Sequence, residues 1–218
     1  MMNQLLGQSH LRENPGLPLL PGGPADLSLM RGRVHEVCGR ARRTLAVLAM
    51  AQMEGGPVLW IAPAWVPERP MPAGLQAFAD PGRLIFGAAR RPEDILWAME
   101  EGLRAGVVPL VIAEVLALPT LTQMRRLQLA TEAGAQAMRR AAPPLGLLLT
   151  PGDGGAAGAE SRWRMTPAPG GGWRLDRPRA RAALPATWML ARGPEGGRPE
   201  GGSEGGPKGI TAARMAEA

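Results

Sequence analysis

The sequence predicts an α/β domain, with a mostly parallel sheet covered by helices on both faces, a small antiparallel C-terminal extension and a disordered tail. Three observations predict it. Short apolar runs, PVLWIA at 57–62, VVPLVIA at 107–113 and LGLLLT at 145–150, are too brief for helices and too continuous for strands with one wet face, so they read as strands buried on both sides. Between them lie stretches of helical periodicity, which makes the order βαβαβ and the crossovers right-handed. After Pro151 the texture changes to short runs joined by Gly- and Pro-rich turns, the pattern of antiparallel strands.

Residues 1–30 read as a flexible lead-in rich in Leu, Pro and Gly, with a short helix near its start or over 27–30. Residues 33–38 form the first strand, ended by Gly39, and 44–53 a helix with Leu45, Leu48, Ala49 and Gln52 on one face. Residues 57–62 and 83–87 (RLIFG) are the next strands. Pro92 opens a helix at its favoured first position, and Glu93 and Asp94 sit where the helix dipole prefers anions. Ile95, Leu96, Met99 and Leu103 make its apolar stripe, which Gly106 ends. A buried strand over 107–113 leads to Glu114, a long helix over 121–141 turns Met124, Leu127, Gly134 and Met138 inward, and 145–150 is another strand. RWRM (162–165), WRLDR (173–177) and TWML (187–190) supply the antiparallel extension. From Gly193 the chain has almost nothing to bury and reads as disordered, a terminal helix at 210–218 being its one structural candidate. The expected division is a lead-in at 1–30, a domain at 31–191 and a tail at 192–218.

With 218 residues, 45% of them hydrophobic, the chain can bury one substantial core, while Gly 30 and Pro 23 place part of it in irregular structure. The formal net charge of +6 rests on arginine, since Lys208 is the single lysine. Such an excess suits nucleic acid or an acidic protein, and equally a codon bias toward Arg, Ala, Gly and Pro that implies no partner. Cys38, the single cysteine, excludes an intrachain disulfide framework and a zinc site of paired cysteines. No leader or membrane-spanning run is legible, so the cytoplasm is the expected compartment, and no metal or cofactor is expected.

In an α/β domain the turn after the first strand is the place to seek a phosphate site, because backbone amides and a helix N-terminus converge there. Here it reads GRARRT. Gly39 and Thr44 match the ends of a phosphate loop, but the span is short, the second glycine is absent and no lysine lies nearby, which argues against ATP hydrolysis. Arg40, Arg42 and Arg43 could attract an anion or simply line a solvent loop. Glu114 ends its strand where phosphate-loop enzymes keep a magnesium-organising carboxylate, although a strand-end carboxylate is commonly a solvated loop residue. His10 lies in the lead-in, and His35 lies in a strand without a recognisable nucleophile, so His35 reads as structural. Arginines recur at Arg90/Arg91, Arg125/Arg126 and Arg139/Arg140. In RWRM and WRLDR they alternate with apolar residues at strand spacing. Arg162, Arg164 and Arg174 would then show one basic face to DNA or a partner, with Trp163 and Trp173 available for stacking. The alternative is that the tryptophans are core and the arginines solvated.

RVHEVCG followed by a helix, then RRPEDILWAMEEGLRAGVVPLVIAEV, LTQMRRLQLATEAG, PPLGLLLTPGDGG and the pair SRWRM and WRLDRPRAR, resemble the ImuA proteins of alphaproteobacteria, which are themselves similar to the RecA core. The likeness runs from about Gly32 to Arg181 and is most specific over 90–134. It implies a RecA-like fold and an accessory role in SOS-induced, error-prone translesion DNA synthesis. ImuB, a Y-family polymerase relative, is the implied direct partner, an error-prone C-family polymerase an indirect one, and RecA or DNA further ones.

By the same likeness Gly39, Arg43 and Thr44 fall on the ATP loop, Glu114 on the acidic strand end, and Ala64 near the place of a catalytic glutamate that this chain lacks. The implied protein is a non-enzymatic adapter with no catalytic residue. Three rivals stay open: a SulA-like inhibitor of cell division, a divergent ATPase using Arg43, Thr44 and Glu114, and a DNA-binding module built on Arg162, Arg164 and Arg174.

Overall fold

A computed structural model describes residues 16–137, 142–192 and 209–215. A two-stranded ribbon, β1 (Leu17–Pro18) and β2 (Ser28–Leu29), precedes β3 (Val34–Cys38), α1 (Arg42–Gln52), β4 (Val58–Pro63) and the single turn α2 (Pro72–Leu75). After a 3-10 turn at Pro81–Arg83 come β5 (Leu84–Ala89), α3 (Pro92–Ala105), β6 (Leu110–Glu114), α4 (Leu121–Ala137) and β7 (Leu145–Leu149). The chain continues through β8 (Ser161–Pro167), β9 (Trp173–Ala180), β10 (Ala186–Arg192) and β11 (Ile210–Arg214).

Nine strands make one sheet in the order β11-β10-β9-β8-β3-β7-β6-β4-β5. The block from β8 to β5 is parallel, and β9, β10 and β11 continue it antiparallel. Parallel strands need covered faces, and both are covered. On one side Leu45, Leu48 and Met50 of α1 meet Trp60, Leu147, Trp163 and Trp188, with the ribbon leucines in the same cluster. On the other, Ile95, Met99 and Leu103 of α3 and Met124 and Leu127 of α4 meet Val34, Ile61 and Val111. The α/β architecture with an antiparallel extension is the one the sequence predicts.

Helix α3 follows its local signals. Pro92 opens it, Glu93 and Asp94 occupy its first turn, and Gly106 caps it in the left-handed region at φ 73°. In α4, Gly134 lets two helices touch, because a Cβ there would lie 2.1 Å from the Leu103 carbonyl oxygen.

Several boundaries and two whole segments differ from expectation. The sequence reading makes 1–30 a flexible lead-in with a short helix near its start or over 27–30. In the structure 16–30 carries the β1–β2 ribbon, and Leu17, Leu19, Leu20, Leu27 and Leu29 are buried against the α1 side of the sheet. Those leucines are the physical reason, since a chain that can bury five large side chains recovers the entropy of ordering itself. Residues 1–15, with His10, lie outside the described residues. The strand expected from 107 begins at Leu110, because Pro109 has no N–H to give the ladder. Met138, Arg139 and Arg140 lie outside the described residues.

The tail also differs. Residues 210–214 form a strand on the edge of β10, not a helix or a disordered end, because β10 presents unpaired backbone that a short, small-residue segment can satisfy. Residues 193–208 lie outside the described set.

Candidate functional site

The parallel sheet ends its strands β3, β4, β6 and β7 along one edge, where ligands of open α/β sheets gather. After β3 the chain turns at Gly39, whose φ of 87° belongs to the left-handed region and whose missing Cβ would meet the Met165 carbonyl oxygen at 2.4 Å. Two of its amides bond outside the turn: Gly39 N–H donates to Gly152 O at 3.0 Å and Ala41 N–H to Met165 O at 2.9 Å. Arg42, Thr44 and Leu45 donate back into the same turn, to Gly39 O and Ala41 O. A phosphate cradle needs such amides free and convergent, and those of Gly39, Ala41, Arg42 and Thr44 are bonded to protein carbonyls.

Arg43, on the first turn of α1, reaches across to Glu114 at the end of β6. Its Nε donates to both carboxylate oxygens at 3.0 and 3.1 Å, and its Nη2 donates to Oε2 at 2.9 Å. The indole of buried Trp60 on β4 donates to Oε1 at 2.8 Å, and Arg43 Nη2 also reaches the Glu68 carbonyl at 3.3 Å. Glu114 is 6% exposed, so nearly all of its acceptor capacity is taken up by the protein. Thr44 is half-buried beside this pair, and Ala64, just past β4, is exposed. The structure therefore brings Gly39, Arg43, Thr44 and Glu114 to one edge and binds the two charged members to each other.

The arginines of the extension share a strand face and are engaged by carboxylates. Arg162 donates to Glu36 Oε2 at 2.6 Å, Arg164 bridges Asp153 at 3.2 Å and Asp176 at 3.4 Å, and Arg174 donates to Asp176 at 2.9 Å. Each of these three cations meets a carboxylate. Trp163 is fully buried: it stacks on Trp188 at 5.5 Å, its indole donates to Ser161 Oγ at 2.7 Å, and Arg177 lies over its ring at 5.3 Å. It is a core residue and not a stacking platform, because β8 turns its odd residues into the α1 side of the sheet. Trp173 is half-buried under the guanidinium of Arg192 at 5.4 Å.

Glu36, which the sequence reading passed over, is the most enclosed charge among the described residues. It is 0% exposed, accepts from Thr150 Oγ1, Gly155 N and Ala156 N on Oε1, and pairs with Arg162 on Oε2. A signal was present: an acid inside the apolar strand VHEVC needs partners, and the glycines of PGDGG allow a loop to close over it.

His35 is buried with both ring nitrogens engaged, Nε2–H donating to the Met30 carbonyl at 2.9 Å and Nδ1 accepting from Ser161 Oγ at 2.6 Å. Burial pushes its imidazole down to about 4, so it is neutral and structural. Burial, with Glu36 nearby, pushes the Cys38 thiol up to about 11, which removes it from nucleophilic chemistry. Among the described residues no group of three or more His, Cys, Asp or Glu side chains could hold a metal ion, and no helix is long and apolar enough to cross a membrane.

The opposite end of the sheet is open. Among the described residues strand β5 is an edge, bonded on one side to β4. Ile85 is 51% and Phe86 43% exposed, and they lie on opposite faces: Ile85 in register with Leu59, which packs on the α3 side, and Phe86 with Trp60, on the α1 side. Unpaired backbone with apolar side chains on both faces is a template for another strand. RLIFG announced a strand but not that it would be the last of the sheet.

Comparison with known proteins decides the family. The chain is 31% identical to the curated "Protein ImuA" of Caulobacter vibrioides strain NA1000, across 78% of this chain and 77% of that protein. The same protein of strain ATCC 19089 matches to the same extent. The chain belongs to the ImuA family. No family model matches it. Among solved structures, SulA from Pseudomonas aeruginosa is similar at a TM-score of 0.43 and 16% identity, covering 55% of this chain and 98% of that one. Within the ImuA family this chain is thus one in which Arg43 and Glu114 occupy each other and β5, among the described residues, has β4 as its one neighbour.

Proposed function

We propose that the chain is a non-catalytic accessory protein of SOS-induced, error-prone translesion DNA synthesis, a RecA-like adapter working with an ImuB-type relative of the Y-family polymerases. Membership of the ImuA family supports the pathway, and the observation that carries the non-catalytic part is the Arg43–Glu114 ion pair. A nucleotide-hydrolysing site would need a cation free for phosphate and a carboxylate free for magnesium, and here each neutralises the other while Trp60 takes a further lone pair. The chain then acts by binding. The error-prone C-family polymerase joins through the ImuB-type partner, and contact with RecA or DNA is secondary.

The β5 edge is the surface that suits this task. An extended segment laid along it would satisfy the unpaired backbone and cover Ile85 and Phe86, worth on the order of 1.5–3 kcal/mol for each side chain fully buried. The test is copurification of the full-length chain with the ImuB-type protein of the same genome. The wild type should co-elute, and Ile85→Asp with Phe86→Asp should weaken the complex by at least about tenfold, each 1.4 kcal/mol being a decade. Isothermal titration of the chain with ATP and magnesium should give no binding heat. Damage-induced mutation frequency unchanged on deleting the gene would overturn the reading.

A further inference from the structure

The other end of the sheet carries a second strand-binding edge, already filled. β11 pairs antiparallel with β10 over five residues, from Trp188↔Arg214 to Arg192↔Ile210, and Met215 N–H adds a bond to Thr187 O at 2.9 Å. Antiparallel neighbours need a connection of about two residues, yet residues 193–209 separate these two. Closing a connection of that length costs more than closing a tight turn, so β11 behaves toward β10 as a tethered ligand.

Its hold is slight. Ile210 is its one buried side chain, Ala212 is partly covered, and Thr211, Ala213 and Arg214 are exposed. Arg214, half-exposed, pairs with Asp26 of the ribbon at 3.1 Å, a contact of the kind worth about 1 kcal/mol or less. Beneath it β10 is firmly seated, with Trp188 and Leu190 buried in the α1-side core. A stable strand thus bears a weakly attached last one.

We infer that the outer edge of β10 is a strand-acceptor site, occupied in cis by β11 and open to an extended segment of a protein partner. The cis occupant defines the chemistry of that segment. It carries a β-branched residue where Ile210 sits, small residues after it, and a cation placed to meet Asp26. A partner strand that buries more than one side chain displaces β11, because both compete for the same backbone groups and β11 contributes only one anchor. The inference is independent of the adapter reading, since it concerns the edge opposite β5.

The test uses the full-length chain and a fluorescent peptide of residues 209–215. Ile210→Asp removes the anchor of β11 in cis. The substituted chain should bind the peptide, measured by anisotropy, at least tenfold more tightly than the wild type does, and a peptide with Arg214→Glu should bind it several-fold more weakly. Hydrogen exchange on the wild type should show β11 amides exchanging at least a hundredfold faster than those of β6 and β7. Failure of the folded Ile210→Asp chain to bind the peptide would overturn the inference. So would β11 amides protected as well as β7, or loss of the fold in the substituted chain, since a displaceable strand leaves its core standing. A wild-type dimer that Ile210→Asp dissolves would also overturn it, placing β11 on a second copy. Ile85→Asp with Phe86→Asp should leave the peptide readout unchanged, which separates this result from the β5 experiment.

Discussion

The guanidinium of Arg43 grips the carboxylate of Glu114 through three hydrogen bonds of 2.9 to 3.1 Å, joining the first turn of α1 to the end of β6. Two charges at the strand-end edge thereby become one neutral unit, and the indole of Trp60 holds it from below.

Removing one half of that unit strands the other. Arg43→Ala leaves Glu114 buried with Trp60 as its remaining side-chain donor, a cost of about 2 kcal/mol because Arg43 is itself part-exposed. Glu114→Gln keeps an acceptor for Trp60 and should cost less. Urea denaturation should rank the two in that order, with ATP and magnesium shifting neither midpoint.

Glu36 should be the more sensitive acid. Glu36→Ala orphans the Thr150 hydroxyl, two loop amides and Arg162, all drawn to a fully enclosed carboxylate, so a loss on the order of 3–5 kcal/mol is expected. Asp153→Ala breaks a pair whose acid is 83% exposed and should cost less than about 1 kcal/mol. Chemical denaturation of both variants checks the contrast.

Acid should loosen the domain through His35. Burial depresses its imidazole from 6.5 to about 4, so the unfolded chain takes up the proton first as pH falls. Stability is unaffected by this group above pH 6.5 and falls as pH drops from 6.5 to about 4, the accumulated loss being roughly 3 kcal/mol. Unfolding free energies of the wild type and His35→Gln, compared at pH 7.5 and 4.5, should show a smaller decline in the variant.

Gly134→Ala reverses the usual helix rule. Alanine gains about 1 kcal/mol over glycine in a free helix, but here its Cβ would fall 2.1 Å from the Leu103 carbonyl oxygen, against backbone that cannot swing aside. A net loss of about 1–3 kcal/mol is expected, read as a lowered Tm.

Local patterns made the helices and central strands legible. Pro92, Glu93, Asp94 and Gly106 mark α3 at both ends, and LVIAE and LGLLL are too apolar to be anything but enclosed strands. What escaped was set by distant partners. The leucines of 17–29 looked like a loose lead-in because the α1-side surface that receives them lies elsewhere in the chain. ITAAR has no strand character until the β10 edge is beside it. The turn GRARRT was readable as a strand-to-helix junction, but its pairing of Arg43 with Glu114 spans 71 positions and left no trace in either neighbourhood. Trp163 and Trp173 looked alike in sequence, and only strand register sent the first inward.

The sole sulfhydryl of the chain, at Cys38, is sealed under the same loop that encloses Glu36, and a Cβ on Gly154 would lie 3.1 Å from its sulfur. Thiol reagents should therefore pass the native molecule by. A cysteine placed on either rim of the sheet would take up a spectroscopic label alone, so motion at the two ends can be followed separately without first engineering a cysteine-free background.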